Sequence, residues 1–239
     1  MLKISSFVIT SGHKMRKTLY IGSPGSSSLG ALAAAFWSGI DFEVCRVNHD
    51  TPEKWMNFKK IYPIGQTPLL LNGTKIIPQS IAIIDFFVKN AREGSYLHSI
   101  NLDKDKHLQL LCFLHTSLFS SFGPFMYGLS SSENKSADEL NIYGRHLVNK
   151  SLLHLAILKN DSDYLLGNDM TPADIYFAGV FRWNEFFNLT PKSSFPELRV
   201  VYEKICRTDF WLFFREIEGG VALSARGGFK GYVEMNDSK

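Results

Sequence analysis

The sequence predicts an α/β half followed by an all-helical half. Three observations carry this reading. Residues 17–92 alternate short apolar strand-like runs with helical stretches in the order β-α-β-α-β-β-α. Asn72-Gly73 stands between Leu69-Leu70-Leu71 and Lys75-Ile76-Ile77, a strong local hairpin signal. From Asp103 onward the strand pattern stops and helical periodicity with helix-start signals takes over.

Each element has its own local signals. Lys17–Ile21 is expected to be a strand and Gly22–Ser28 a Gly/Pro/Ser turn. Leu29–Trp37 is expected to be a helix whose small residues, among them Gly30, Ala31, Ala33 and Ala34, let it lie close to a sheet. Phe42–Val47 is the next strand. The βαβ spacing makes it parallel to the first. Thr51 and Pro52 open a second helix that stops before Pro63. After the hairpin, Pro78-Gln79-Ser80 leads into a helix from Ile81 to about Asn90. A parallel βαβ half followed by a ββα half is the thioredoxin plan.

In the second half, Lys104–Phe122 is expected to be helical, with Leu108, Leu111, Cys112, His115, Leu118, Phe119 and Phe122 along one side. Ser136-Ala137-Asp138-Glu139 has the pattern of a capping box opening a helix to about Lys159. Thr171-Pro172-Ala173-Asp174 combines an N-cap, a first-turn proline and an acid at the third position. The helix it opens, Ile175–Phe187, is apolar almost all round and belongs in the middle of a bundle. Two further helices are expected at Pro196–Arg207 and Asp209–Ile217. The organisation is then a flexible extension (1–16, with Met15 a candidate start), a first domain (17–92), a linker (93–103), a helical domain (104–218) and a loose tail (219–239). Arg226-Gly227-Gly228 in that tail is a single copy of an RNA-binding tripeptide and carries little weight alone.

Composition narrows the function. With 239 residues, 45% hydrophobic and 21% charged, the chain can bury a core without staples. A net charge of +3 is too weak to argue for nucleic acid or a membrane surface as partner, and neither is expected. Cys45, Cys112 and Cys206 are odd in number and have no CxxC spacing, which excludes a disulfide framework and the usual zinc patterns. Buried thiols, no metal and a cytoplasmic location are the expectation.

Several residues are candidates for chemistry. Ser26, Ser27 and Ser28 precede the first helix, where a hydroxyl aided by the helix dipole can stabilise an anion. The alternative is a plain serine cap. Gln79 and Ser80 stand at another helix start, again an anion site or an ordinary cap. Asp174 is read as a structural cap, not a catalytic acid. Phe119, Phe122, Tyr176 and Trp183 line an apolar pocket or belong to the core.

Several of these motifs together resemble the glutathione transferases, nearest the bacterial beta class, over residues 17 to about 217. Ser23-Pro24-Gly25-Ser26-Ser27-Ser28-Leu29 is similar to the family's Ser-Pro-Gly-Ala-Cys-Ser-Leu turn. Pro63-Ile64-Gly65-Gln66-Thr67-Pro68 is similar to its Pro-x-Gly-x-Val-Pro loop. Gln79-Ser80, Tyr164-Leu165-Leu166-Gly167, Thr171-Pro172-Ala173-Asp174 and Arg182-Trp183 fall at further family positions. The resemblance implies the glutathione transferase fold, a thioredoxin-like domain before a helical one. It implies a cis bond before Pro68, so that the backbone of Thr67 pairs with the cysteinyl part of glutathione, and Gln79 and Ser80 holding the γ-glutamyl group. It puts Ser27 at the reactive-cysteine position, donating to the sulfur, and Tyr176 and Trp183 toward the electrophile.

Glutathione is then the co-substrate, a small apolar electrophile its partner, and a homodimer the assembly. Conjugation is the expected activity. A glutathione-dependent isomerase or lyase and a non-catalytic interaction module are the alternatives. The sequence departs from the beta class at Ser27 and where the class has a His-Lys pair, matched here by Phe119 and Ser120. His115, a turn earlier, is either a substitute or a half-buried core histidine.

Overall fold

The computed structural model describes residues 17–22, 27–47, 52–130 and 136–235. The first half contains β1 (Lys17–Gly22), α1 (Ser27–Trp37), β2 (Phe42–Val47), α2 (Pro52–Ile61), β3 (Leu69–Asn72), β4 (Lys75–Pro78) and α3 (Ser80–Lys89). This is the predicted β-α-β-α-β-β-α order. β1 and β2 are parallel, with Leu19 opposite Val44. β3 runs antiparallel to both β1 and β4. The hairpin turn is Gly73-Thr74, because Asn72 itself pairs with Lys75. Gly73 takes the first central position with φ of 63°, which a side chain would strain.

Period-two alternation splits the sheet's side chains between two cores. Leu19, Ile21 and Leu70 join the large core with α1, α3 and the helical half. Tyr20, Cys45, Val47 and Leu69 face the other way and pack on Phe58 of α2.

The helical half contains a short α4 (Tyr96–Ser99) in the linker, α5 (Lys104–Phe113), a π-helical segment (Leu114–Phe119), α6 (Ser120–Ser130), α7 (Ala137–Leu158), α8 (Pro172–Phe186), α9 (Pro196–Cys206) and α10 (Asp209–Gly219). α1 lies between the sheet and this half, packed on α3, α8 and α10. Its alanines are therefore buried all round, and only Phe36 is partly exposed. Where α1 meets α8, a Cβ added to Gly30 would stand 2.8 Å from Tyr176 Cβ and 3.2 Å from Ile84 Cδ1.

Four expectations need correcting. The tail is not loose: Phe229–Tyr232 form β5, parallel to β2, and the sheet order is β4-β3-β1-β2-β5. In the same segment the Arg226 guanidinium lies over the rings of Phe213 and Phe36. The single helix expected over 104–122 is interrupted by the π segment, and its buried stripe runs through His107, Leu111, Leu114, Leu118 and Phe122. Leu108 and Cys112 stand beside that stripe and are exposed, so Cys112 is not a buried thiol. Ser136 makes no side-chain capping bond: its ψ of 3° is not the extended geometry from which a cap folds back. The N-terminal extension and Thr51 lie outside the described residues.

Candidate functional site

α1 begins at Ser27, two residues earlier than the sequence suggests, so Ser27 belongs to the first helical turn. It is 8% exposed. α3 begins at Ser80, after Gln79 at φ 73° and ψ 125°. That backbone conformation is rare for a residue with a side chain and is found where the surroundings impose it. Both helix N-termini open on one cleft, and each carries partial positive charge. Between them the peptide from Thr67 to Pro68 is cis, as expected.

The cleft has a volume of about 640 Å³. Its floor is Ser27, Thr67, Pro68, Gln79 and Ser80, its outer wall Trp55, Tyr62 and Ile64, and its inner wall His115 and Phe119. The Ser80 hydroxyl is buried with no hydrogen bond of normal geometry, although the Tyr176 phenol is near enough to feel it. A buried hydroxyl at a helix N-terminus is placed where an anion is favoured.

Five of the predicted site residues thus come together: Ser27, Thr67, Pro68, Gln79 and Ser80. Of the four proposed for an electrophile, only Phe119 lines the cleft. Phe122 and Tyr176 do not line it and are buried in the core. Both lie behind the wall. Trp183 packs on Phe119 and Phe122 and supports that wall instead of forming it. Ser23 and Ser26, the other candidates in the serine turn, lie outside the described residues.

His115 is the residue that sequence reasoning left undecided. It sits in the π segment and lines the cleft. Its ring stacks on Phe119 at 5.5 Å between centroids and 9° between planes. Nδ1 is 2.8 Å from the Tyr176 hydroxyl, so Nε2 is the ring nitrogen that this contact does not engage. Burial lowers its pKa and favours the neutral ring. The wide turn is held by Ser120, whose N–H and Oγ–H both donate to the His115 carbonyl. A serine five residues after a histidine is too weak a signal to find such a turn.

Asp174 is wholly buried and accepts from the Leu165 and Thr171 N–H groups and the Thr171 hydroxyl. It is a helix cap. Arg182 forks onto the buried Glu218 at 2.6 and 2.8 Å and ties α8 to α10.

Known proteins resemble this chain in sequence and in fold. Residues 15–89 match the family model for the N-terminal domain of glutathione S-transferase, and residues 123–209 that for its C-terminal domain. Glutathione S-transferase GstA of Escherichia coli O157:H7 is 25% identical over 164 residues, covering 67% of this chain and 79% of that protein. A glutathione S-transferase structure from Xylella fastidiosa superposes with a TM-score of 0.73 at 19% identity, covering 85% of this chain and 98% of the other. The structure of the beta-etherase LigF from Sphingobium sp. strain SYK-6 superposes at 0.66 with 19% identity, over 84% and 99% of the two chains. In sequence, LigF is 36% identical over 73 residues, 30% of this chain and 28% of LigF.

Proposed function

The chain belongs to the glutathione S-transferase superfamily, and from that premise we propose that it binds glutathione in the cleft and activates its thiol for transfer to a small apolar electrophile. The observation that carries this reading is the convergence of two helix N-termini, one of them opening at the buried Ser80, on one cleft. The γ-glutamyl carboxylate lies at the start of α3, where Ser80 donates to it and the helix dipole favours its charge. The backbone of Thr67 holds the cysteinyl part. The sulfur then lies toward the start of α1.

Two side chains are placed to stabilise a thiolate there. The Ser27 hydroxyl donates from the first turn of α1. His115 supplies the second donor: with the Tyr176 O–H donating to Nδ1, Nε2 carries the proton and turns it to the cleft. Each charge-assisted bond lowers the thiol pKa and raises the reactive fraction at neutral pH. The electrophile approaches over Phe119, the apolar wall on the helical side.

A lyase activity is the second reading, favoured by the likeness to the beta-etherase LigF. There the same thiolate attacks and an oxygen leaving group departs. Purified protein with glutathione and both a halogenated aromatic and an aryl ether separates the two by product. Conjugate from the first substrate alone supports transfer, and cleavage of the ether supports the lyase. The proposed assembly is a homodimer. Large exposed apolar side chains on α7, Ile142, Ile157 and Leu158, support it. Light scattering giving the mass of one chain would count against it.

A further inference from the structure

The chain beyond α10 does more than cover a sheet edge. It leaves the helix at Gly220 and becomes β5, where Phe229 is fully buried against Phe42 and Phe213. The Phe42 N–H donates to the Gly228 carbonyl, and Tyr232 Oη donates back to the Val221 carbonyl. The strand itself is thus part of the core. Past Tyr232 the chain turns to the other side of the sheet. The Val233 N–H donates to the Val44 carbonyl, and Val233 and Met235 then pack on the outer face, in the cluster of Tyr20, Cys45, Val47, Phe58 and Leu69. Glu234 between them pairs with Lys54 of α2 at 3.4 Å.

That cluster is also where α2 is held. Of α2 only Asn57 and Phe58 are buried, with Trp55 and Ile61 partly buried on the same cluster, so its own grip on the sheet is small. Trp55 and Tyr62 join the same cluster and at the same time line the outer wall of the cleft. The C-terminal residues and the cleft therefore meet α2 and its flank from two sides.

We propose that Val233, Glu234 and Met235 are positioning residues for the cleft: they clasp α2 to the sheet and so hold Trp55 and Tyr62 in place to receive the ligand. The affinity consequence rests on the reading of the cleft as a glutathione site. The clasp itself does not. A ligand that meets a pre-ordered wall is spared the cost of ordering those two side chains. Without the clasp, that cost appears in the dissociation constant and not in the chemical step.

The test is the full-length double variant Val233→Ser/Met235→Ser, with Met235→Ala as a milder second. Hydrogen exchange is read on residues 52–61, with 80–89 and 196–206 as internal controls, and glutathione affinity by calorimetry. The expected result is faster exchange over 52–61 with the controls unchanged. Glutathione affinity is weakened between roughly twofold and tenfold, and kcat at saturation is unaltered. Met235→Ala gives the same pattern with smaller changes, which guards against general loss of structure. Unchanged exchange over 52–61 overturns the clasp, whatever glutathione does. Faster exchange with unchanged affinity overturns its link to the cleft. An intact chain that takes up no glutathione defeats the reading of the cleft, and the exchange result then decides the clasp alone.

Discussion

Ser27 and Ser80 occupy equivalent places, each the first residue of a helix opening on the cleft, yet they are expected to fail differently. On the proposed function, Ser27→Ala removes a donor to the thiolate. A hydrogen bond to a charged group is worth roughly 1.5–3 kcal/mol, so conjugation falls about tenfold or more while glutathione affinity changes less. Steady-state rates on Ser27→Ala beside Ser23→Ala and Ser26→Ala check this. A loss confined to either neighbour moves the role. A different residue sets the acid limit of stability. His107 is 3% exposed, and burial pushes its pKa down to about 4 against a small opposing pull from Asp85. Between pH 6.5 and 4 the unfolded chain binds a proton there that the folded chain does not, so stability rises with pH across that window and is lost as pH falls. The loss from this one group reaches about 3 kcal/mol at the lower end. Urea unfolding at steps across that range reads it. His107→Asn is expected to flatten the decline, and an unchanged decline would assign the loss elsewhere.

At the scale of elements, local signals were legible and tertiary ones were not. The Asn-Gly hairpin, the proline loop around Thr67 and Pro68 and the Thr171–Asp174 cap each write their geometry in a few adjacent residues. β5 does not: a four-residue Phe-Lys-Gly-Tyr run has no strand pattern, and it becomes a strand only because β2 presents an open edge and Phe42 and Phe213 a place for Phe229. The π segment is equally silent, and with it the turning of His115 to the cleft. The small residues of α1 point the other way, from sequence to packing. Gly30→Ala improves helix propensity by about 1 kcal/mol but drives a methyl into Tyr176. Overpacking of this kind costs about 1–3 kcal/mol, and the net effect is expected to be a lower unfolding midpoint. A stabilised variant would mean that α1 and α8 are free to move apart.

For the whole molecule, the two halves are useful only together. The first supplies two helix N-termini, the Thr67–Pro68 turn and a weakly held α2; the second supplies His115 and Phe119 as the facing wall. Motif order along the chain made the fold readable, and with it the residues of the two helix starts and the Thr67–Pro68 turn that line one side of the cleft. The wall facing it was not, because aromatics at helical spacing look alike whether they line a cleft, as Phe119 does, or stand behind it, as Phe122 and Tyr176 do. The central claim is that this cleft takes glutathione with its carboxylate at Ser80. Calorimetric titration of glutathione into the intact chain and into Ser80→Ala tests it most directly. Saturable binding in the micromolar-to-millimolar range is expected, one site per chain, weakened about tenfold or more in Ser80→Ala. No saturable binding by the intact chain, or binding indifferent to Ser80→Ala, would contradict it.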